Sequence, residues 1–173
     1  MKPVPIALLL LFTAQLPSKT PARQAQAKQY PLVLSMEDEP GANTVPIPPD
    51  VWRVLLNDRD VQTVSMNQVP PLSKPPRSWF AGFPVSLHDE SASDLVVQAE
   101  DRLQGANVTT FWVFLQTADG PKLVLTLPAH DLIIMSTRWH GYRKIEAGAA
   151  TGVSAWSRTF CFNGSEYAPC GES

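Results

Sequence analysis

Apolar residues repeat at helical spacing in one early segment of the chain. Within PPDVWRVLLNDRD they recur every three to four positions behind Pro49, which predicts a helix over about residues 49–58 that buries Trp52 and Leu55. Four prolines between residues 70 and 76 then predict a loop, because proline removes a backbone donor and restricts the residue before it. The first half of the domain should therefore contain one short helix.

From Trp79 onward the pattern becomes that of short strands separated by turn-forming residues. The predicted strand segments are FPVSLH, DLVVQAE, TTFWVFLQT, KLVLTL, DLIIMST, WSRTFCF and SEYAP. Ala-Asp-Gly-Pro joins the third to the fourth, and Asn163-Gly164 joins the last two; both are typical hairpin turns. We therefore predict an α+β fold that is mainly antiparallel β-sheet or a partial barrel, with one short N-terminal helix.

The N-terminus has the pattern of a secretory signal peptide over residues 1–27. Lys2 supplies a positive charge, residues 6–16 are apolar but too few to span a bilayer, and small residues follow. Cleavage is expected after Ala27 or after Ala22. The protein is then expected to be secreted or periplasmic, with no membrane span after cleavage.

The mature chain is expected to comprise a proline-rich extended arm, residues 28–48, and a single α+β domain, residues 49–173. Loss of residues 1–27 removes three basic side chains and no acids, which takes the formal net charge from −2 to about −5. Such a surface repels phosphate backbones, and no cluster of Lys and Arg offsets it, so nucleic acid is not an expected partner.

Cys161 and Cys170 are the only cysteines, and in an oxidising compartment they are expected to form a disulfide. Their spacing is not Cys-x-x-Cys, and no further cysteine could complete a zinc site. Pairing around Asn163-Gly164 places Cys161 opposite about Glu166. The disulfide should therefore draw the tail after Pro169 back over the hairpin.

One acidic stretch, VSLHDESASDLVV at residues 85–97, runs into an apolar strand. Its frame resembles the Asp-x-Asn-x-Asp-Gly-x-x-Asp-Leu-Val-Val loops of FG-GAP/VCBS-type repeats, which are hairpin modules of integrin-like β-propellers. The resemblance implies a hairpin whose loop can hold calcium, because alternate carboxylates converge there as oxygen ligands. Asp94 and Leu95-Val96-Val97 match this frame.

The ligand positions of the loop depart from the family pattern. Ser86 replaces the first Asp, His88 stands where Asn or Asp is expected, and Ser91 replaces the glycine of the sharp turn. Glu90 and Asp94 keep their carboxylates. We therefore expect a polar hairpin turn and no cofactor, with calcium held by Glu90, Asp94 and His88 as the alternative.

A looser likeness extends over more of the chain. An early helix, a Trp-Phe loop, the acidic hairpin, aromatic strands and a final FNGSEY hairpin resemble uncharacterised bacterial secreted proteins, whose last hairpin reads Trp/Phe-Asp/Asn-Gly-x-x-Tyr. This resemblance implies a fold and a compartment, and it implies no activity.

A metal-dependent hydrolase is the competing class of function. It would use His88, Asp89 and Asp94, or the remaining histidines His130 and His140. Hydrolytic zinc needs three ligands and an open position, and no pair of these histidines has the i, i+4 spacing of a helix. We therefore expect no catalytic residues.

The segment RWHGYRKI, residues 138–145, interleaves basic and aromatic side chains, which could grip a partner through charge and stacking. The alternative to a binding surface is an ordinary loop that enters a strand, with its basic side chains solvated. The predicted binding residues are Trp139, His140, Tyr142, Arg143 and Lys144, with Trp79 and Phe80 as exposed aromatics. The hypothesis is a non-catalytic binding protein of the inhibitor, immunity or accessory type, whose partner is a secreted or envelope protein or a glycan.

Overall fold

The structure is a computed structural model that describes residues 29–38, 41, 43–90, 93–150 and 154–171. The predicted signal peptide lies outside the described residues. Within them the strands are β1 (Leu32–Ser35), β2 (Phe80–Val85), β3 (Asp94–Ala99), β4 (Thr109–Thr117), β5 (Gly120–Ala129), β6 (Asp131–Trp139), β7 (Tyr142–Ala150), β8 (Ala155–Phe162) and β9 (Tyr167–Pro169). The helices are α1 (Pro49–Leu56) and α2 (Arg59–Met66).

The strands form two antiparallel sheets rather than one. The first has the order β1-β6-β7-β8-β9, and the second has the order β2-β3-β4-β5. The chain passes between them at His130, whose carbonyl accepts from the Met36 N–H and whose N–H donates to the Gly148 carbonyl. The predicted α+β class with mainly antiparallel sheet is confirmed, with two helices instead of one.

The molecule has three layers, and the four-stranded sheet is the middle one. Along β4, Phe111 and Val113 face a core shared with the five-stranded sheet, whereas Trp112 and Phe114 face a second core shared with the helices. All six residues of β3 are buried. An apolar run without alternation is what a strand covered on both faces requires.

The predicted helix over 49–58 ends earlier than expected, and a second helix follows it. α1 ends at Leu56, and the Asp58 carboxylate then caps α2 by accepting from the Asp60 and Val61 N–H groups at 2.9 and 3.2 Å. The other carboxylate oxygen of Asp58 accepts from the Trp112 indole N–H at 2.9 Å. This one aspartate therefore both starts α2 and holds it against β4.

The predicted arm, residues 28–48, contributes to both sheets. β1 pairs with β6 from Leu32 to Ser35, and Val45 forms an isolated bridge with Gly82 in β2. A Cβ at Gly82 would lie 2.8 Å from the Val45 carbonyl, so this close approach of two backbones requires glycine. Its described residues are therefore held by one strand of each sheet, β6 and β2.

The C-terminal hairpin and its disulfide exist, but the predicted register was wrong. Cys161 lies opposite Ala168 rather than Glu166. The Asn163 side chain accepts from the backbone N–H groups of residues 165 and 166, at 2.9 and 3.0 Å, and this widens the turn beyond Asn163-Gly164. The Cys161–Cys170 disulfide joins diagonal neighbours whose Cα atoms are 5.0 Å apart.

Candidate functional site

The segment around residues 138–145 forms a β-hairpin. β6 and β7 meet at a two-residue turn, His140-Gly141, and both residues have positive φ angles of 49° and 85°. Two positive φ angles define the type I′ turn that matches the twist of paired strands. The Arg138 guanidinium donates to the Gly141 carbonyl at 2.7 Å and ties the turn to its own strand. Below, residues 139–142 are called the hairpin tip.

Trp139 is the exposed aromatic residue of the hairpin tip. Its side chain lies on the surface with 46% of the residue accessible, and the His140 ring meets it edge to face at 4.7 Å. The Lys144 ammonium lies 5.8 Å from the centre of the indole ring. Together with the disulfide and the adjoining strand ends, Trp139 and Lys144 border a depression of about 210 Å³.

Tyr142 and Arg143, also predicted to bind a partner, point into the protein. Tyr142 is half-buried and stacks on the His88 ring at 5.5 Å and against Phe162 at 4.3 Å. Arg143 is only 7% exposed. These two side chains therefore support the hairpin from beneath, while Trp139, His140 and Lys144 face outward.

Arg143 is held by a set of contacts from three different segments. Its Nε donates to the Ser86 carbonyl at 3.1 Å, and one terminal nitrogen donates to the Ser136 carbonyl at 3.2 Å. The guanidinium lies 3.6 Å from the centre of the Tyr30 ring. The Tyr30 hydroxyl in turn accepts from the Ser86 N–H at 2.7 Å. This buried cation therefore joins the N-terminal segment, the β2–β3 loop and the hairpin.

Glu90, in the predicted calcium loop, lies against the two arginines of the hairpin. Its Oε1 accepts from Arg138 at 2.7 Å and from Arg143 at 2.5 Å. Arg138 also donates to the His88 carbonyl at 2.9 Å. The loop between β2 and β3 is therefore fastened to the hairpin, and through it the two sheets are joined.

The Asp94 carboxylate is fully buried and accepts from two backbone N–H groups. One oxygen accepts from the Leu87 N–H at 2.7 Å and lies 3.2 Å from the His88 ring, and the other accepts from the Gln116 N–H at 2.9 Å. A buried carboxylate needs such donors. Asp94 thus closes the β2–β3 hairpin and fixes it to the end of β4.

The residues weighed as metal ligands have different surroundings. His88 faces Asp94, His130 lies between Glu37 and Asp131 at 3.4 and 3.1 Å, and His140 contacts Trp139. Within the described ranges, no three His, Cys, Asp or Glu side chains are grouped so as to hold a metal ion. Ser91, part of the same loop, lies outside the described residues.

The prediction that Trp79 and Phe80 are exposed was wrong. They are 3% and 7% exposed, and Phe80 packs against Trp52 and Trp112 beneath the helices. The flanking prolines indicated a surface loop correctly, but the loop ends at Trp79, where the chain turns inward to form β2. Both aromatics belong to the helix-side core.

Two aromatic residues that sequence reasoning did not single out have exposed or bridging positions. Tyr30 stacks on Arg143 from the predicted arm, and Trp156 in β8 is 43% exposed. Trp156 begins a predicted strand, and its exposure depends on which neighbours that strand has. The sequence carried no signal for the contact of Tyr30 or for the exposure of Trp156.

Comparisons of the chain with protein-family profiles, with curated proteins and with solved structures found no match. None of the helices in the described part of the chain is long and apolar enough to cross a membrane.

Proposed function

We propose that the protein is a non-catalytic binding protein that contacts another extracellular or periplasmic protein through the hairpin tip. The observation that carries this proposal is Trp139, an indole 46% exposed on a turn with a defined backbone. Exposed tryptophans in firm surroundings are typical anchors of protein interfaces, because they bury a large area with little loss of side-chain freedom.

The contacts beneath the tip support this role. Arg138 holds the Gly141 carbonyl, and the half-buried Tyr142 ring packs on Phe162. A tip held in this way loses little conformational entropy on binding. Lys144 beside Trp139 adds a positive charge to an otherwise acidic chain, which favours a partner with acidic groups around an apolar pocket.

The compartment is part of the proposal. The Cys161–Cys170 disulfide supports an oxidising environment, as does the signal-like pattern of residues 1–27. Mass spectrometry of protein exported by its native host should find a mature N-terminus at Lys28 or Arg23. A mature chain that still begins at Met1 would contradict export by cleavage.

Photo-cross-linking in the native host tests the binding role. A photoreactive amino acid at His140 should produce a discrete adduct with one envelope or secreted protein. The same probe at Lys122, an exposed residue in the β4–β5 hairpin, is the matched control and should not produce that adduct. Trp139→Ala should abolish the adduct from His140 while the melting temperature stays the same.

The outcomes separate the proposed partner from its alternatives. Adducts that form equally from Lys122, or that survive Trp139→Ala, would contradict a site at the tip. Absence of protein adducts, with binding of purified protein to envelope polysaccharide that depends on Trp139, would replace the protein partner by a glycan.

A further inference from the structure

Strand β8 has neighbours on both sides along only part of its length. β7 pairs with it from Ala155 to Phe160. On its other side β9 pairs with Phe160–Phe162, and the Cys170 N–H donates to the Thr159 carbonyl at 2.9 Å. Residues 155–158 are exposed, and nothing in the described part of the chain pairs with them on that side. These four residues are called the free edge.

The direction of the backbone groups on the free edge follows from strand alternation. The Thr159 carbonyl points away from β7, toward Cys170. Every second residue of a strand directs its N–H and C=O to the same side, so those of Ser157 and Ala155 also point away from β7. The β7–β8 register runs without a shift over these residues. The free edge therefore presents two donors and two acceptors.

We propose that the free edge pairs with the free edge of a second copy of this chain. The pairing is antiparallel about a two-fold axis through Trp156. Ala155 of one copy then lies opposite Ser157 of the other, and four backbone hydrogen bonds form between them. The two five-stranded sheets become one continuous sheet, and each copy contributes the same surface to the interface.

The end of β9 supports a second copy rather than a longer strand. Centring the axis on Ser157 would bring residue 155 of one copy against Thr159 of the other, whose carbonyl already accepts from Cys170. A long antiparallel peptide would run into the same obstruction. Two short edges centred on Trp156 meet before either reaches Cys170.

Trp156 gives this edge an apolar side chain at the two-fold axis. It lies opposite Ala149 in β7. The neighbouring residue of β7 is Gly148, where an added Cβ would lie 2.8 Å from the Trp156 carbonyl oxygen. Trp156 is 43% exposed. In the proposed register the two Trp156 side chains form a non-hydrogen-bonded pair with Cβ atoms about 4.5–5.5 Å apart, close enough for ring contact.

The proposed dimer leaves the hairpin tip accessible. Tyr142 begins β7 at the tip, and Ala150 ends it opposite Ala155, so the two surfaces are about 25 Å apart along the strand. Dimerisation through the free edge is therefore independent of the proposed function of the tip.

Sedimentation equilibrium of the purified chain with its disulfide intact tests the dimer. Between about 1 µM and 1 mM, the range of moderate to weak affinities, the mass should rise from that of one chain toward that of two. The backbone amides of Ala155 and Ser157 should exchange with solvent more slowly at the high concentration. Constant monomer mass over the whole range would overturn the proposal.

Ser157→Pro and Ser157→Ala form a matched pair that tests the edge itself. Both lose the hydroxyl that donates to Glu146 at 2.8 Å, but only proline also removes the outward N–H. Proline removes two of the four bonds between copies and should weaken association by about tenfold or more, whereas alanine should leave it near the wild-type value. Equal association of the two variants would overturn the proposal.

Trp156→Glu provides a second test if Ser157→Pro does not fold. Its side chain is exposed, so the fold should tolerate it, and two glutamates would face each other at the axis. Association should then be lost, whereas Trp139→Glu should leave it unchanged. A Trp156→Glu protein that still dimerises, or a Trp139→Glu protein that does not, would place the interface elsewhere.

Discussion

Removing the Arg143 side chain should destabilise the protein more than neutralising Glu90, the carboxylate that accepts from it. Arg143→Ala deletes the donors to the Ser86 and Ser136 carbonyls and the cation above the Tyr30 ring. Glu90→Gln keeps all of these contacts and removes only the negative charge. The two variants therefore separate the backbone contacts of the guanidinium from its ion pair.

The expected loss in free energy of unfolding depends on how far each side chain is exposed to water. Hydrogen bonds from a charged donor contribute about 1.5–3 kcal/mol each, and two of those made by Arg143 go to backbone carbonyls. Water can reach part of the emptied site, so we expect Arg143→Ala to lower the free energy of unfolding by about 3 kcal/mol. The Glu90 side chain is 63% exposed, so its ion pair is screened, and Glu90→Gln should cost less than about 1 kcal/mol.

Urea unfolding with the disulfide intact measures both values, provided that the slope of the transition is the same for all variants. Arg143→Lys is the control that keeps the charge but loses the planar fork, and its stability should be intermediate. A Glu90→Gln protein as unstable as Arg143→Ala would refute the reasoning, because the ion pair would then be the main contribution.

Four further results are expected. Gly82→Ala should lower stability by about 1–3 kcal/mol in urea unfolding, since its Cβ would lie 2.8 Å from the Val45 carbonyl; a neutral effect would mean that the two segments separate easily. Replacing both cysteines by alanine should cost about 2–3 kcal/mol for so short a loop, measured in the same assay, and an unchanged midpoint would contradict this. The hydrogen bond with Asp131 raises the pKa of His130. The contact between protonated His130 and Asp131 should therefore stabilise the fold below the ordinary histidine pKa, and this stabilisation is lost as pH rises through the raised value. His130→Gln should remove that pH dependence of the free energy of unfolding. Millimolar calcium should leave the melting temperature unchanged, because Glu90 already accepts from two arginines and Asp94 from backbone N–H groups; a rise reversed by chelator would show a calcium site.

The hairpin tip shows what part of the site could be predicted. Alternating basic and aromatic residues drew attention to residues 138–145, and His140-Gly141 is a turn signal that could have identified the hairpin. Exposure was harder to predict, because Trp79 and Trp139 both adjoin turns. Trp79 is buried in the helix-side core, whereas Trp139 ends a strand of the other sheet and is exposed.

The acidic loop shows a different limit of sequence reasoning. Its frame indicated a hairpin followed by a buried strand, and both are present. Glu90 accepts from Arg138 and Arg143, about fifty residues away, and Asp94 accepts from backbone N–H groups. Ligand spacing within a loop carries no information on such distant donors.

The sequence by itself determined the local elements of this protein. Periodicity, proline positions and turn dipeptides depend on neighbouring residues, and they indicated the first helix, most strands and the disulfide. The tertiary structure alone decided that two sheets form, that β1 joins one of them, and that Trp156 stands on a free edge. These outcomes depend on which strands meet across the core, and burial and long-range hydrogen bonds select that arrangement only when the whole chain is assembled.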